Sequence, residues 1–312
     1  MNKKTLITGG AGFIGYHLCL RLLKLGYEVL CIDNLYSGSY ENVKILSKYK
    51  NFRFLNLDIC NPIRIKYKPN EIYHLACPAS PKAYQFDPIK TLNTCSKGSI
   101  NILEFAKKNN SKILLSSTSE IYGDPLQHPQ TESYFGNVNP IGPRSCYDEG
   151  KRYAESLFIN YHNYYKINIK ISRIFNVYGP NMDRNDGRVV SNFITQCLDS
   201  KPITINGSGA QTRSFCYVSD LVDGLIKLMK SKNLFIGPVN IGNPNEISIY
   251  KMAKKIKKLT KSESEIIFME TVVDDPLIRK PNIKLAKKEL NWTPKVKLDD
   301  GIRKTIDYFR NL

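Results

Sequence analysis

Apolar and polar positions alternate in two rhythms along the first 180 residues. Short apolar runs predict strands over Lys4–Gly9, Glu28–Ile32, Phe52–Leu57, Glu71–Ala76, 112–117 and Lys170–Phe175. Between them, apolar residues at helical spacing predict helices, first with Leu18, Leu22 and Leu25 on one stripe before Gly26, then over 88–109 and onward from Tyr147. Strand followed by helix followed by strand is the signature of a parallel sheet with helices on both faces. Beyond Gly179-Pro180 the alternation loosens. A helix opens within Gly187–Phe193, strands and turns mix over Thr204–Phe215, and a helix over 219–230 begins at an Asp220 cap. A short strand (Val239–Asn243), a helix (248–259), a strand (265–269) and helices near 282–290 and 299–309 complete the chain. The expected organisation is a sheet domain over 1–180, with 213–232 returning to it, and a smaller, intermingled lobe over 181–312.

The first turn carries chemistry. The strand at Lys4–Gly9 runs into Gly9-Gly10-Ala11-Gly12-Phe13-Ile14-Gly15, a helix follows, and the second strand ends at Asp33. Glycines spaced Gly9-x-x-Gly12-x-x-Gly15 permit a tight turn and close approach of a pyrophosphate, and the helix start supplies amide donors. Asp33 is placed to accept from ribose hydroxyls and would repel a 2′-phosphate, which favours NAD over NADP. The third strand ends at Asp58-Ile59, where an acid can meet the adenine. The fold class is therefore α/β, a Rossmann-type doubly wound sheet whose ligands sit at the strand C-terminal ends. Cys77-Pro78-Ala79-Ser80-Pro81 is a rigid loop at one such end, and His74 just before it is read as a packed core residue.

A second cluster follows the strand at 112–117. It reads Thr118-Ser119-Glu120, then, after a polar loop, Tyr147-x-x-x-Lys151. Four residues apart on a helix, Tyr147 and Lys151 share a face. An ammonium beside a phenol lowers its pKa from about 10, which would make Tyr147 a base for a sugar hydroxyl at neutral pH.

Composition narrows the field without redirecting it. The net charge of +18 invites a nucleic-acid reading. The lysines are spread widely, however, with clusters such as Lys254–Lys258 fitting one helix face, so the charge is better read as attracting an anionic small substrate. Eight cysteines at 19, 31, 60, 77, 95, 146, 197 and 216 show no Cys-x-x-Cys spacing and read as reduced thiols. The four histidines give no metal pattern. No apolar run is long enough to span a bilayer, and the glycine motif follows Met1-Asn2-Lys3-Lys4 too closely for a signal-peptide core, so a cytoplasmic location without membrane partners is expected.

Taken together, these strings resemble the extended short-chain dehydrogenase/reductase family, and within it most closely the UDP-glucuronate decarboxylases. The resemblance spans essentially the full length. Its specific pieces are Thr8–Gly15, Pro78–Pro81, Ser117–Pro125, Asn139–Arg152, Asn185–Phe193, Gly207–Arg213 and Asp274-Asp275-Pro276 with Arg279-Lys280-Pro281. Three positions depart from the family pattern. Cys77 stands where serine is usual, Tyr16 replaces a serine, and Asn291 replaces a glycine.

The resemblance implies NAD-dependent conversion of UDP-glucuronate to UDP-xylose. C4 is oxidised, the resulting 4-keto acid loses CO2, and C4 is reduced again. It assigns Tyr147 as base, Lys151 as its partner, Thr118 as a hydrogen bond to the reacting oxygen, and Ser119, Glu120 and Arg279 to the neighbourhood of C5 and the carboxylate. For the cofactor it implies Gly9, Gly12, Phe13, Ile14, Gly15, Asp33, Asn34, Asp58, Ile59 and Leu75 with Tyr147 and Lys151. For the substrate it implies Pro78, Ser80, Asn176, Arg188, Val190, Gln211, Arg213 and Arg279. It also implies a homodimer through the helices near 88–109 and 147–165. Three rivals stand beside this reading, a nucleotide-sugar 4,6-dehydratase, a 4-epimerase, which Glu120 and the Arg279 string fit less well than a decarboxylase, and a non-catalytic NAD-binding scaffold. The dehydratases carry Thr-Asp-Glu where this chain has Thr118-Ser119-Glu120, and the intact Thr118, Tyr147 and Lys151 speak against a scaffold.

Overall fold

A computed structural model describes residues 3–312; Met1 and Asn2, at the start of the expected sheet domain, lie outside the described residues. Seven strands form one sheet. They are β1 (Lys4–Thr8), β2 (Glu28–Asp33), β3 (Phe52–Asn56), β4 (Glu71–His74), β5 (Lys112–Thr118), β6 (Ile169–Ile174) and a last strand, Val239–Ile241. Their spatial order is Val239–Ile241, β6, β5, β4, β1, β2, β3, and every neighbouring pair is parallel. The order reverses beside β1, which opens a crevice at the strand C-terminal ends.

Strand alternation feeds two cores. In β1, Leu6 enters one apolar cluster and Ile7 the other, and in β5 Ile113 and Leu115 face away from Leu114. One core packs the helix Phe13–Lys24 through Leu18 and Leu22, and Val218–Lys230 through Leu221 and Leu225. The other packs Ser99–Asn109 through Ile102 and Ala106, and Ser145–Tyr165 through Ala154 and Phe158. A bidentate ion pair from Arg173 on β6 to Glu155, at 3.0 and 2.8 Å, fixes the long helix Ser145–Tyr165 against the sheet. That helix carries Tyr147 and Lys151 in its first two turns.

Several elements differ from the sequence reading for identifiable reasons. The stretch 88–109 is three pieces, Pro88–Asn93, a wider π turn Thr94–Gly98, and Ser99–Asn109. Ser80-Pro81 opens a short helix Pro81–Phe86, since proline at the first helical position needs no amide partner. A helix Tyr40–Leu46 was not foreseen; Ser39 caps it by accepting from the Glu41 amide at 3.2 Å. Asp220 is not a cap. Its carboxylate accepts the Lys295 and Val296 amides at 2.9 and 2.8 Å, while its carbonyl takes the indole N–H of the only tryptophan, Trp292, at 3.0 Å. These bonds tie the C-terminal segment to the helix Val218–Lys230. Asn291 closes its helix at φ 45°, a left-handed position that asparagine tolerates in place of glycine.

The C-terminal part adds small sheets over the crevice. Ile203–Asn206 pairs with Ile266–Met269, and Thr212–Ser214 lies between Glu246–Ser248 and Ile278–Arg279. The last pairing sets Arg213 beside Arg279.

Candidate active site

One cavity of about 1150 Å³ runs along the strand ends, and every site residue expected from the sequence lines it. At one end lies the glycine turn. Gly9 has φ 72°, and a side-chain carbon on Gly15 would fall 2.1 Å from the Gly9 carbonyl oxygen, so both positions demand glycine. A carbon on Gly12 would meet nothing nearer than that same oxygen at 3.4 Å, which leaves the crevice side open to a ligand. The helix that Gly12 starts has no side-chain cap, so the first-turn amides at Phe13, Ile14 and Gly15 are available as donors.

Asp33 accepts the Ala11 amide at 3.0 Å and the Leu35 amide at 2.8 Å. Burial pushes its carboxyl up, against the pull of those amides. Asp58 receives Asn34 at 2.9 Å, the Cys60 amide at 2.9 Å and Lys90 at 3.0 Å. Burial opposes ionisation there, but these donors outweigh it and hold the carboxyl at about 2. Ile59 and Leu75 line the same end. The cradle fits a dinucleotide, with an open backbone approach, uncapped amides and an acid at the end of β2.

In the middle of the crevice, Lys151 Nζ donates to the Ser116 carbonyl at 2.9 Å and lies 5.8 Å from the centre of the Tyr147 ring. Tyr147 stacks on Tyr84 with ring centres 5.0 Å apart. The expectation of a lowered phenol is not met in the protein alone. Burial, and next the neighbouring Cys77, push the Tyr147 phenol well up, with Thr118 pulling against them. The physical reason is that Lys151 is turned to a backbone carbonyl, while the phenol sits 6% exposed. His74 is the packed residue expected. It bonds Thr8 at 2.8 Å and Ser99 at 3.3 Å, and burial holds it at about 3, as a neutral ring.

The far end is an ion cluster. Thr118 caps a single turn, Ser119–Tyr122, by accepting the Glu120 amide at 3.2 Å. That turn aims Glu120 between two guanidiniums, Arg279 on one carboxylate oxygen and Arg144 on the other. Burial would raise the Glu120 carboxyl, but Arg279 and then Arg144 hold it well below the carboxylate range, at about 2. Arg213 reaches Asp275 at 2.9 Å, and Arg144 approaches Asp275 at 3.8 Å and Asp148 at 3.9 Å. Burial and the Glu120 charge push Asp148 up to about 7. Buried Nε and Nη2 of Arg279 and Nδ2 of Asn176 have no hydrogen-bond partner. Buried donors without partners are costly; at the wall of a cavity they mark where a ligand's oxygens belong.

The remaining expected residues are less engaged. Arg188 pairs with Asp186, at 3.0 Å from Nη2, and lies over the Phe13 ring at 6.0 Å. Gln211 donates to the Asn206 carbonyl at 2.7 Å. Pro78, Ser80, Ser119 and Val190 line the wall. Sequence reasoning missed Arg144, which joins Glu120, Asp275 and the face of Tyr84, the last at 6.0 Å. Its place three residues before Tyr147, at the start of the same helix, was the available signal. It also missed Lys90 and the stacking Tyr84. Among the described residues, no group of three or more His, Cys, Asp or Glu is placed to hold a metal ion, and no helix is long and apolar enough to cross a membrane.

Comparison with known proteins agrees with this geometry. The GDP-mannose 4,6-dehydratase family model matches residues 6–305. The chain belongs to that family, within the extended short-chain dehydrogenases/reductases. It is 51% identical over 310 residues to UDP-glucuronic acid decarboxylase 6 of Arabidopsis thaliana, covering 99% of this chain and 89% of that protein. It is also 51% identical to UDP-glucuronic acid decarboxylase 1 of Xenopus tropicalis, covering 99% and 72%. Among solved structures, UDP-glucuronic acid 4-epimerase from Bacillus cereus, in complex with UDP-glucuronic acid and NAD, superposes with a TM-score of 0.87. It is 30% identical, with 99% of each chain covered. UDP-glucose 4-epimerase from Thermotoga maritima, with UDP-glucose, gives 0.90 at 29% identity and the same coverage.

Proposed function

We propose that this protein converts UDP-glucuronate to UDP-xylose and CO2, with NAD as a cofactor that ends each turnover as it began. The observation that carries this reading is Arg279. It lines the crevice and holds one oxygen of Glu120, while two more of its donors are buried without a partner. An arginine so placed matches a substrate carboxylate. The decarboxylase relatives and the carboxylated ligand of the Bacillus cereus structure support it.

When bound, NAD supplies the acceptor and later the donor of the C4 hydrogen. Tyr147 takes the proton of the C4 hydroxyl, and Lys151, held by Ser116, keeps the phenolate in place. Thr118 donates to the oxygen at C4. The keto acid so formed carries its carboxylate β to the carbonyl, and CO2 leaves as its electron pair flows toward that oxygen. Tyr147 and Thr118 stabilise the enolate. Glu120, held ionised by two arginines, orients the sugar and repels the carboxylate rather than donating a proton. Arg213 and Arg188 face the diphosphate and sugar, and Pro78, Ser80, Asn176, Val190 and Gln211 shape the walls. Residues 1–180 with the returning 213–232 carry the cofactor and meet the sugar nucleotide through Thr118, Glu120, Asn176 and Arg213, while the rest of 181–312 serves mainly the sugar nucleotide.

A homodimer is part of the proposal. Phe86, Ile89 and Leu92 are 84%, 65% and 40% exposed beside Tyr153 at 45% on the long helix, an apolar face suited to a second copy. Light scattering that gives a monomer at micromolar concentration would contradict it. The eight unpaired cysteines support a reducing, cytoplasmic setting.

The test is incubation of purified protein with UDP-glucuronate and NAD, followed by mass spectrometry. A UDP-pentose with CO2 release and no net NADH is expected. An isomeric UDP-uronate with its carboxyl intact would instead indicate 4-epimerisation, and no reaction with any nucleotide sugar would favour the scaffold.

A further inference from the structure

Cys77 and Cys95 lie 18 positions apart in sequence, yet their sulfurs are 3.4 Å apart. Cys77 begins the loop that carries Pro78 and Ser80, and it lines the crevice. Cys95 is 3% exposed, in the π turn Thr94–Gly98. Both touch the catalytic helix. Cys77 packs against Tyr147, and a side-chain carbon at Gly150 would come within 3.0 Å of Cys95 Sγ. The sulfurs are therefore in contact, unbonded, one residue from Lys151 on one side and against Tyr147 on the other.

We propose that Cys77 and Cys95 are a reversible oxidation site that closes to a disulfide with hydrogen peroxide as oxidant and thereby slows the enzyme. The Cys77 thiolate attacks one peroxide oxygen, the O–O bond breaks, and a sulfenic acid and one water result. Cys95 sulfur then attacks that sulfur, and the hydroxyl leaves as a second water. Two thiols and one peroxide become one disulfide and two waters, the sulfurs losing two electrons and the peroxide oxygens gaining them. Cys77 reacts first because it faces the crevice. The hydrogen bond from Cys95 lowers its pKa, burial opposes this, and the Lys151 charge adds to the lowering. A disulfide needs an S–S distance of about 2.05 Å, so closure draws the crevice loop and the π turn together by roughly an ångström. That displaces Pro78 and Ser80 at the crevice wall and shifts the packing against Tyr147. Cys19 and Cys31 form a buried pair inside the first core, both 0% exposed and with no opening to the crevice. They are the internal control.

The loss of turnover rests on the decarboxylase reading; the cross-link does not. The holoenzyme with bound NAD is treated with hydrogen peroxide, digested without reduction and mapped by mass spectrometry, while UDP-pentose formation and NAD binding are followed in parallel. A Cys77–Cys95 cross-linked peptide is expected, with turnover down by roughly tenfold or more, as for an ångström-scale misplacement at a reacting centre, and restored by dithiothreitol. Cys95→Ser should keep its turnover through the same treatment and give no cross-link; if it fails to fold, Cys77→Ser serves for the map. Failure of the function alone would leave the cross-link intact with no turnover at any stage. The proposal is overturned if Cys77 goes to the sulfinic acid without a cross-link. It is equally overturned if the cross-link forms with turnover unchanged, or if Cys95→Ser loses turnover as the parent does.

Discussion

At the nucleotide end of the crevice, two short stretches, Gly9–Gly15 and Asp33, make the site largely from backbone amides and one acid. At the sugar end, Glu120, Arg144, Arg213, Asp275 and Arg279 come from separate segments and make the site from side-chain charge. The first kind is local, so its spacing can be read along the chain. The second exists only after β5, the long helix and the strand Ile278–Arg279 have met. On the proposed reading the local end holds the cofactor, the assembled end holds the sugar and its carboxylate, and Tyr147 and Lys151 work between them, so variants at the two ends should fail in different ways.

Tyr147→Phe should break the comparison at its centre. It removes the proton acceptor and leaves the cradle intact, so kcat should fall by about 10³-fold while NAD titration by fluorescence is unchanged; undiminished turnover would remove Tyr147 as base. Gly15→Ala acts on the opposite end. A side-chain carbon 2.1 Å from the Gly9 oxygen forces the turn apart, and NAD affinity should fall by roughly 100-fold, the scale of about 2.7 kcal/mol, with a smaller effect on kcat at saturating NAD.

How much of this was readable follows the same division. Six strands of the sheet, the glycine turn and the Tyr147–Lys151 pair were legible because each is written in periodicity or fixed spacing; the seventh strand, Val239–Ile241, read only as a short strand of the C-terminal half, and its place beside β6 is set by the assembled fold. Cys77, Tyr16 and Asn291 were legible only as departures from a family pattern, and the structure gives Asn291 its reason in a left-handed helix end. Arg144 was not legible. One guanidinium serves a glutamate 24 positions away and an aspartate in the C-terminal lobe, and no local pattern records such a contact. The phenol of Tyr147 was misjudged for the same reason, because burial is a property of the assembled fold and outweighs a neighbour four residues along.

Arg144→Met sharpens the sugar end. With one guanidinium gone, the Glu120 carboxyl should rise from about 2, and an acid limb should appear in the pH profile of kcat. Turnover at neutral pH should fall about tenfold, with NAD affinity retained and partial rescue by Arg144→Lys. A profile unchanged in shape would show that Arg144 only supports the fold. The sign of the stability effect follows. Glu120 has a depressed folded pKa, so its contribution is present above the unfolded carboxylate range of about 4.3. It is lost as pH falls toward 2.

Asp148 runs the other way and gives the smallest effect. Its folded carboxyl is raised to about 7, so the native state holds a proton that the unfolded chain releases between pH 3.8 and 7. Stability therefore declines as pH rises through that window. Asp148→Asn should flatten the decline, with melting temperatures differing from the parent by roughly 2–3 °C near pH 7.5; the same slope in both proteins would contradict the assignment.

The central claim is that the hydrogen taken from C4 returns to C4 around a decarboxylation, and UDP-glucuronate deuterated at C4 tests it directly. The account predicts UDP-xylose that keeps its deuterium at C4 and, in D2O, gains one deuterium at C5. A UDP-pentose without the C4 label, or a labelled sugar that keeps its carboxyl, would contradict it.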